Sequence, residues 1–250
     1  MKRMIFVTGD THGDFRWFDR VCFPEQKQMT KNDYVIICGD FGGIWDGTED
    51  EAVQLDRLAD KPFTILWVDG NHENFSLIKE FPVEEWNGGK VHRIRPNILH
   101  LMRGQLYIID GYSFFTMGGA SSHDIQDGIL DPDDPDFMEE LYRLRQRHGM
   151  FRVKGWSWWP EELPSEEEYA EARETLERAD WEVDYVITHS APSGIVKKVN
   201  ERYQTDALTD FLEEVREKLK FHYWLFGHYH DNRNIGNNFV LLYEQIVQAI

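Results

Sequence analysis

Five short apolar runs in this chain each end on residues that can bind a metal ion, and that recurrence narrows the folds open to it. The plainest is Phe63 to Val68, which stops at Asp69-Gly70 and then presents Asn71, His72 and Glu73. A run this short and β-rich reads as a buried strand, and Gly70 lets the backbone turn so that Asn71 and His72 face a cleft at its carboxyl end. Met4 to Val7 leads likewise into Thr8-Gly9-Asp10-Thr11-His12-Gly13, and Tyr34 to Cys38 into Gly39-Asp40-Phe41-Gly42-Gly43. Val183 to Ile187 leads into Thr188-His189-Ser190, and Tyr223 to Phe226 into Gly227-His228-Tyr229-His230. Parallel or mixed sheets flanked by helices bring strand carboxyl ends to one edge, so these residues can converge although far apart in sequence.

The segments between the runs read as helices. Phe15, Phe18 and Cys22 keep helical spacing behind Asp14, which predicts a first helix capped by that residue. Thr48 followed by Glu51 is a capping-box pattern ahead of Ala52, Leu55, Leu58 and Ala59, and a short helix near Phe75 to Lys79 ends before Pro82. Ser165 with Glu168 opens another helix through Tyr169, Ala172, Leu176 and Ala179, and Ala207 to Leu219 has the same period. From Asn97 the pattern changes to three close runs, Ile98 to Met102, Gln105 to Ile109 and Tyr112 to Met117. Turns at Arg103-Gly104 and Asp110-Gly111 predict consecutive hairpins in a second sheet. Gly118-Gly119 ends this run ahead of Ser121-Ser122-His123-Asp124, as a turn or as a close backbone approach to a ligand. Phe239 to Tyr243 reads as a final strand.

At 250 residues and 41% apolar, with no Pro/Gly/Ser-rich linker, the chain is expected to form one domain over residues 1–250 with an insertion at about 121–164. That insertion is irregular and holds Trp156, Trp158 and Trp159, which either fasten it to the body or line a substrate cleft. The stretch Ser121 to Tyr185 carries 19 Asp and Glu against 7 Lys and Arg, a net of −12 within the total of −18. Such acidity opposes unspecific attraction to long nucleic acid or to an anionic membrane. The apolar part of the start is too short for a signal peptide, no apolar stretch is long enough to span a membrane, and Cys22 and Cys38 read as buried free thiols. A cytoplasmic location is expected.

Asp10, His12, Asp40, Asn71, His189, His228 and His230 supply carboxylate, amide and imidazole donors without thiolate, a set compatible with manganese, iron or zinc. Singly, each has an ordinary reading as a turn or strand-end residue. Jointly they match what two divalent ions need to grip the attacking and leaving oxygens of a phosphoryl group.

The ordered set GDTHG, GDFGG, GNHE, THS and GHYH, spanning Gly9 to His230, resembles the calcineurin-like metallophosphoesterases. The resemblance implies an α/β (α+β) protein, a two-layer β-sandwich of mixed sheets flanked by helices. It implies that Asp10, His12, Asp40 and His230 hold one divalent metal, and that Asp40, Asn71, His189 and His228 hold a second. Asp40 then bridges, and His72 gives a proton to the leaving oxygen or stabilises the transition state. The implied reaction is hydrolysis of a phosphate mono- or diester by hydroxide held between the metals, on a small or nucleotide-like substrate. One departure bears on the substrate. The phosphoprotein phosphatase branch reads GDxVDRG in the second block, and here Gly43 and Ile44 stand where its second Asp and its Arg would be. A protein Ser/Thr phosphatase or a nuclease is therefore the alternative enzyme, and a non-catalytic metal-binding interaction protein the alternative from another class. Arg93, Arg95 and Arg103 are candidate phosphate binders otherwise expected on the surface.

Overall fold

The protein is described here by a computed structural model covering residues 3–250; the basic start at Met1 and Lys2 lies outside the described residues. The strands in chain order are β1 (Ile5–Thr8), β2 (Tyr34–Ile37), β3 (Thr64–Trp67), β4 (Val83–Trp86), β5 (Gly89–Arg95), β6 (Ile98–Leu101), β7 (Gln105–Ile109) and β8 (Tyr112–Met117). They continue as β9 (Ile129–Leu130), β10 (Arg152–Val153), β11 (Tyr185–Thr188), β12 (Tyr223–Phe226), β13 (Arg233–Ile235), β14 (Phe239–Leu241) and β15 (Val247–Gln248). The helices are α1 (Glu49–Ala59), α2 (Phe75–Ile78), α3 (Phe137–Gln146), α4 (Glu166–Arg178), α5 (Ser193–Val199) and α6 (Ala207–Lys218).

Two mixed sheets form the body, ordered β15-β1-β2-β3-β6-β5-β4 and β13-β14-β12-β11-β8-β7. In each the central strands are parallel and the outer ones antiparallel. Side-chain alternation explains why the central strands are apolar on both faces. Ile5, Val7, Ile36, Leu66 and Val68 of the first sheet meet Phe114, Tyr185, Ile187 and Leu225 of the second in one shared layer. The intervening residues Phe6, Val35, Ile37, Ile65 and Trp67 turn outward onto α1 residues Leu55 and Leu58 and onto Phe18 and Phe63. On the far side, Phe115, Val186, Trp224 and Phe226 pack on α4, α5 and α6 through Leu176, Val196, Leu208 and Leu212. The result is the sandwich of mixed sheets between helices that the resemblance implied.

Parallel register then places the motifs. Thr8 pairs with Ile37 and Ile37 with Trp67, so β1, β2 and β3 stop level with one another, and Ile187 pairs with Leu225 in the second sheet.

Several local expectations are corrected. The helix after Asp14 is only a 3-10 turn over Arg16–Phe18, because Asp14 binds the Arg16 side chain and Pro24 opens a second 3-10 turn. Cys22 is exposed, and only Cys38 is a buried thiol. At Thr48 the hydroxyl accepts from Glu51 N, but the Glu51 carboxylate turns to the amides of Trp45 and Asp46, so half of the capping box forms. The box at Ser165 is complete. Of the two hairpins expected from Ile98 onward, the one at Asp110-Gly111 forms and pairs β7 with β8, but the one at Arg103-Gly104 does not. β6 is already paired on both edges, with β3 and β5, so the chain crosses at Arg103-Gly104 to begin the other sheet with β7 and β8. β6 pairs antiparallel with the preceding β5 across Pro96-Asn97, and beyond it lies a further hairpin, β4-β5. Its turn residues Asn87 and Gly88 both have positive φ, the Asn-Gly signature of a tight turn.

Arg103, expected on the surface, is buried at that crossing. Its Nε lies 2.8 Å from Asp69 Oδ2 and its Nη1 3.2 Å from Glu168 Oε2. Burial opposes ionisation of Asp69, but the Arg103 guanidinium and His100 outweigh it and hold the carboxyl below the usual carboxylate range. The insertion is also less irregular than expected, holding α3 and the parallel pair β9-β10. Trp159 fastens it, with its ring edge-on to Trp45 and its Nε1 donating to Ser76 Oγ at 2.9 Å, whereas Trp156 is exposed against Phe137.

Candidate metal centre

The five blocks meet at one edge of the sandwich, and the glycines in them are there because another block presses on the backbone. A Cβ at Gly70 would lie 2.0 Å from Asp40 Oδ1, and one at Gly227 would lie 2.1 Å from Asp10 Oδ1. His12, Asp40, His228 and His230 all have positive φ, a conformation that is uncommon for non-glycine residues and gathers at functional sites. Hydrogen bonds hold the loops there. His12 N donates to Asp40 O (2.8 Å), His72 N to Asp40 Oδ1 (2.8 Å) and His228 N to Asp10 Oδ1 (3.0 Å).

Asp10, His12, Asp40 and His230 make one group. His12 Nε2 lies 3.1 Å from His230 Nε2, His230 Nε2 lies 3.2 Å from Asp10 Oδ2, and His12 Nε2 lies 3.7 Å from Asp40 Oδ2. Asp40, Asn71 and His189 make a second, with His189 Nε2 3.3 Å from Asn71 Oδ1 and 3.4 Å from Asp40 Oδ2. The His228 ring is edge-on to His189 at 5.0 Å between centroids. All seven sequence-predicted donors thus come together, and His72 sits beside them, its ring edge-on to His12 at 5.2 Å.

The donor chemistry fits a cation. His189 Nδ1 contacts Cys38 O at 2.7 Å, which assigns its proton to that nitrogen and turns the Nε2 lone pair toward Asn71 and Asp40. Asn71 donates through Nδ2 to Ser122 Oγ (3.3 Å), so its acceptor oxygen is the atom that faces His189. Acceptors buried against acceptors need positive charge between them. The same preference is visible in the imidazole. Burial alone would lower the His189 pKa, but the Asp40 and Asp10 carboxylates raise it to about 10. Burial opposes Asp40 in turn, and His189, His72 and His12 hold it well below the carboxylate range. Asp40 reaches toward both groups, which suits a shared ligand. When bound, divalent ions would supply Lewis-acid stabilisation of phosphoryl oxygens and a nucleophilic water at neutral pH.

Around the donors stands a layer that sequence reasoning missed, and the insertion supplies it. Ser122 Oγ donates to Glu162 Oε1 (2.6 Å) and Ser122 N to Glu162 Oε2 (3.0 Å), backing Asn71 from behind. Burial pushes the Glu162 carboxyl up to about 7. His123 Nε2 lies 2.8 Å from His228 Nε2. Arg152 Nη2 lies 3.2 Å from His72 Nδ1, and its guanidinium is gripped by Asp124. Ser122, His123 and Asp124 did have a signal, since they follow a strand end at Gly118-Gly119 as the other blocks do. Arg152 and Glu162 had none, because only the folded insertion brings them to this edge. Burial lowers the His72 pKa against the Asp40 carboxylate, and Arg152 and His12 add to the lowering.

The chain is 24% identical over 171 residues to lariat debranching enzyme A of Xenopus laevis, a match covering 60% of this chain and 30% of that protein. It is 24% identical over 162 residues to the lariat debranching enzyme of Danio rerio, covering 56% and 27%. It is 21% identical over 257 residues to that of Drosophila pseudoobscura pseudoobscura, covering 90% and 42%. The chain therefore spans less than half the length of these relatives. The profile of the calcineurin-like phosphoesterases matches residues 4–232, nearly the whole chain and every block at the sheet edge, and the protein belongs to that family of metal-dependent phosphoester hydrolases.

Proposed function

We propose that the protein is a phosphoesterase that uses two divalent ions, manganese, iron or zinc, to hydrolyse a phosphodiester of nucleotide type. The observation that carries this reading is the convergence of two donor groups on Asp40, with the backbone amide of His72 hydrogen-bonded to that same carboxylate. Asp10, His12, Asp40 and His230 would hold one ion, and Asp40, Asn71, His189 and His228 the other. The matched relatives are named for debranching lariats, which supports a phosphodiester and a nucleic-acid-derived substrate over a phosphoprotein. The net charge of −18 supports a short substrate over a long polyanion.

His72 is the proton carrier in this reading. Its backbone N–H donates to Asp40 Oδ1, which fixes the residue at the edge of the donor cluster. Burial and Arg152 lower the proton affinity of the imidazole, whereas the negative charge of a phosphoryl group acts in the opposite sense, so substrate binding favours the protonated form. The ring is then ready to protonate the departing oxygen. Residues 121–164 are read as an insertion within one domain, supported by the bond from Ala120 N to Glu162 O (3.1 Å) that joins its two ends. A cytoplasmic location is part of the reading, supported by the two free cysteines; no helix among the described residues is long and apolar enough to cross a membrane.

The test is a hydrolysis screen of protein loaded separately with manganese, iron(II) and zinc, on bis-nitrophenyl phosphate, nitrophenyl phosphate, dinucleotides and a phosphopeptide. Turnover of the diesters ahead of the phosphopeptide is expected. Binding of the ions with no turnover of any ester would leave the non-catalytic reading.

A further inference from the structure

The insertion aims a cation at the catalytic edge. Arg152 opens β10, and its side chain is largely buried, 14% exposed. Asp124 takes one edge of the guanidinium, with Nε 3.0 Å from Oδ1 and Nη2 2.6 Å from Oδ2. Nη1 donates to Ser157 O (3.4 Å), which leaves the second N–H of Nη2, and Nη2 lies 3.2 Å from His72 Nδ1 and 3.4 Å from His72 Nε2. Backbone and side chain are both fixed. Val153 N donates to Ser157 Oγ (3.0 Å), Lys154 bridges to Trp158, and buried Trp159 anchors the end of the turn.

A purely structural role explains half of this arrangement. The Arg152–Asp124 pair ties together two parts of the insertion, which needs no approach to His72, and placing a guanidinium beside an imidazole is unfavourable if that imidazole is charged. The arrangement becomes favourable when an anion binds beside the pair and faces both groups. Nor does the second block offer a cation of its own, since Ile44 is buried in the outer core of the first sheet. In a stretch with a net charge of −12, the side chain that reaches His72 is nonetheless an arginine.

We propose that Arg152 binds a non-bridging oxygen of the substrate phosphoryl group through the N–H of Nη2 that faces His72, and that Asp124 is the positioning residue that orients it. A guanidinium held by a carboxylate on one edge and by a carbonyl at Nη1 keeps its remaining N–H and its charge at a fixed place, an arrangement suited to one phosphoryl oxygen. This rests on the phosphoesterase reading and adds to it that the insertion supplies part of the anion site.

Inorganic phosphate is the probe, because its binding is measured without turnover. Calorimetry on metal-loaded protein should show phosphate affinity falling on the order of 10-fold or more in Arg152→Ala, less in Arg152→Lys, which keeps charge but not the planar group held by Asp124, and less again in Asp124→Asn. Metal content should be unchanged in all three. If esters are hydrolysed, kcat/KM of Arg152→Ala should fall by about 10²-fold. Unchanged phosphate affinity in Arg152→Ala and Arg152→Lys overturns the proposal, and a lowered melting temperature in those variants would then mark a purely structural arginine. Failure of the wild type to hydrolyse any ester bears on the phosphoesterase reading instead, and the phosphate titration still decides the role of Arg152.

Discussion

His12 and His230 face each other nitrogen to nitrogen, Nε2 to Nε2 at 3.1 Å, with the buried carboxylate of Asp10 3.2 Å from the second of them. Both residues have positive φ, so the backbone is held in an uncommon conformation to bring the two rings together. Two imidazoles at this distance can share only one proton between the facing nitrogens, and a cation satisfies both lone pairs and the carboxylate together.

Metal stoichiometry follows from that geometry and from Asp40. Protein purified without chelator and supplemented with manganese should contain two ions per chain by elemental analysis. His12→Ala should lose one of them and Asp40→Asn should weaken both, because Asp40 lies 3.7 Å from His12 and 3.4 Å from His189. Chelation should lower the melting temperature, since an ion bound only by the folded chain stabilises it. Full occupancy in Asp40→Asn would remove Asp40 from the shared position.

His72→Ala separates proton transfer from metal binding. No atom of His72 is needed to complete either donor group, so metal content should stay within error of wild type while kcat falls on the order of 10²–10⁴-fold. The loss should shrink with nitrophenyl esters, whose leaving group needs no proton. A defect of equal size with alkyl and nitrophenyl leaving groups would exclude the proton-carrier role.

The blocks around Asp10, Asp40, Asn71, His189 and His228 were legible because a parallel strand places its carboxyl end at a predictable edge, and a glycine before a polar residue marks where another segment presses close. The helices at Ser165 and Ala207 were legible for a similar local reason, a cap followed by one apolar face. What escaped depends on pairing at long range. Nothing in the run at Ile98 says that both its edges are already taken by β3 and β5, and that fact sends the chain across to the second sheet and buries Arg103. Arg152 lies 80 residues from His72 in sequence, and its approach is decided by how β9, α3 and Trp159 fold the insertion back.

Glu162 should give the insertion a measurable pH signature. Its carboxyl is buried and accepts from both the amide and the hydroxyl of Ser122, yet burial outweighs those bonds and raises it from the ordinary 4.5 to about 7. A folded-state pKa above the unfolded value means that the folded chain binds more protons in the interval between them. Stability from this group is fully present below pH 4.5 and is lost as pH rises to about 7, after which the loss is constant. At about 1.4 kcal/mol per unit the whole effect is at most about 3.5 kcal/mol. Glu162→Gln removes the titration and keeps an oxygen for Ser122. Urea midpoints of the two proteins, in the same metal state from pH 5 to 8, should therefore diverge with rising pH, the variant gaining relative to wild type until the difference levels off above pH 7. Curves that run parallel over that range would mean that Glu162 is ionised throughout, and that the backing of Asn71 by Ser122 rests on a charged carboxylate.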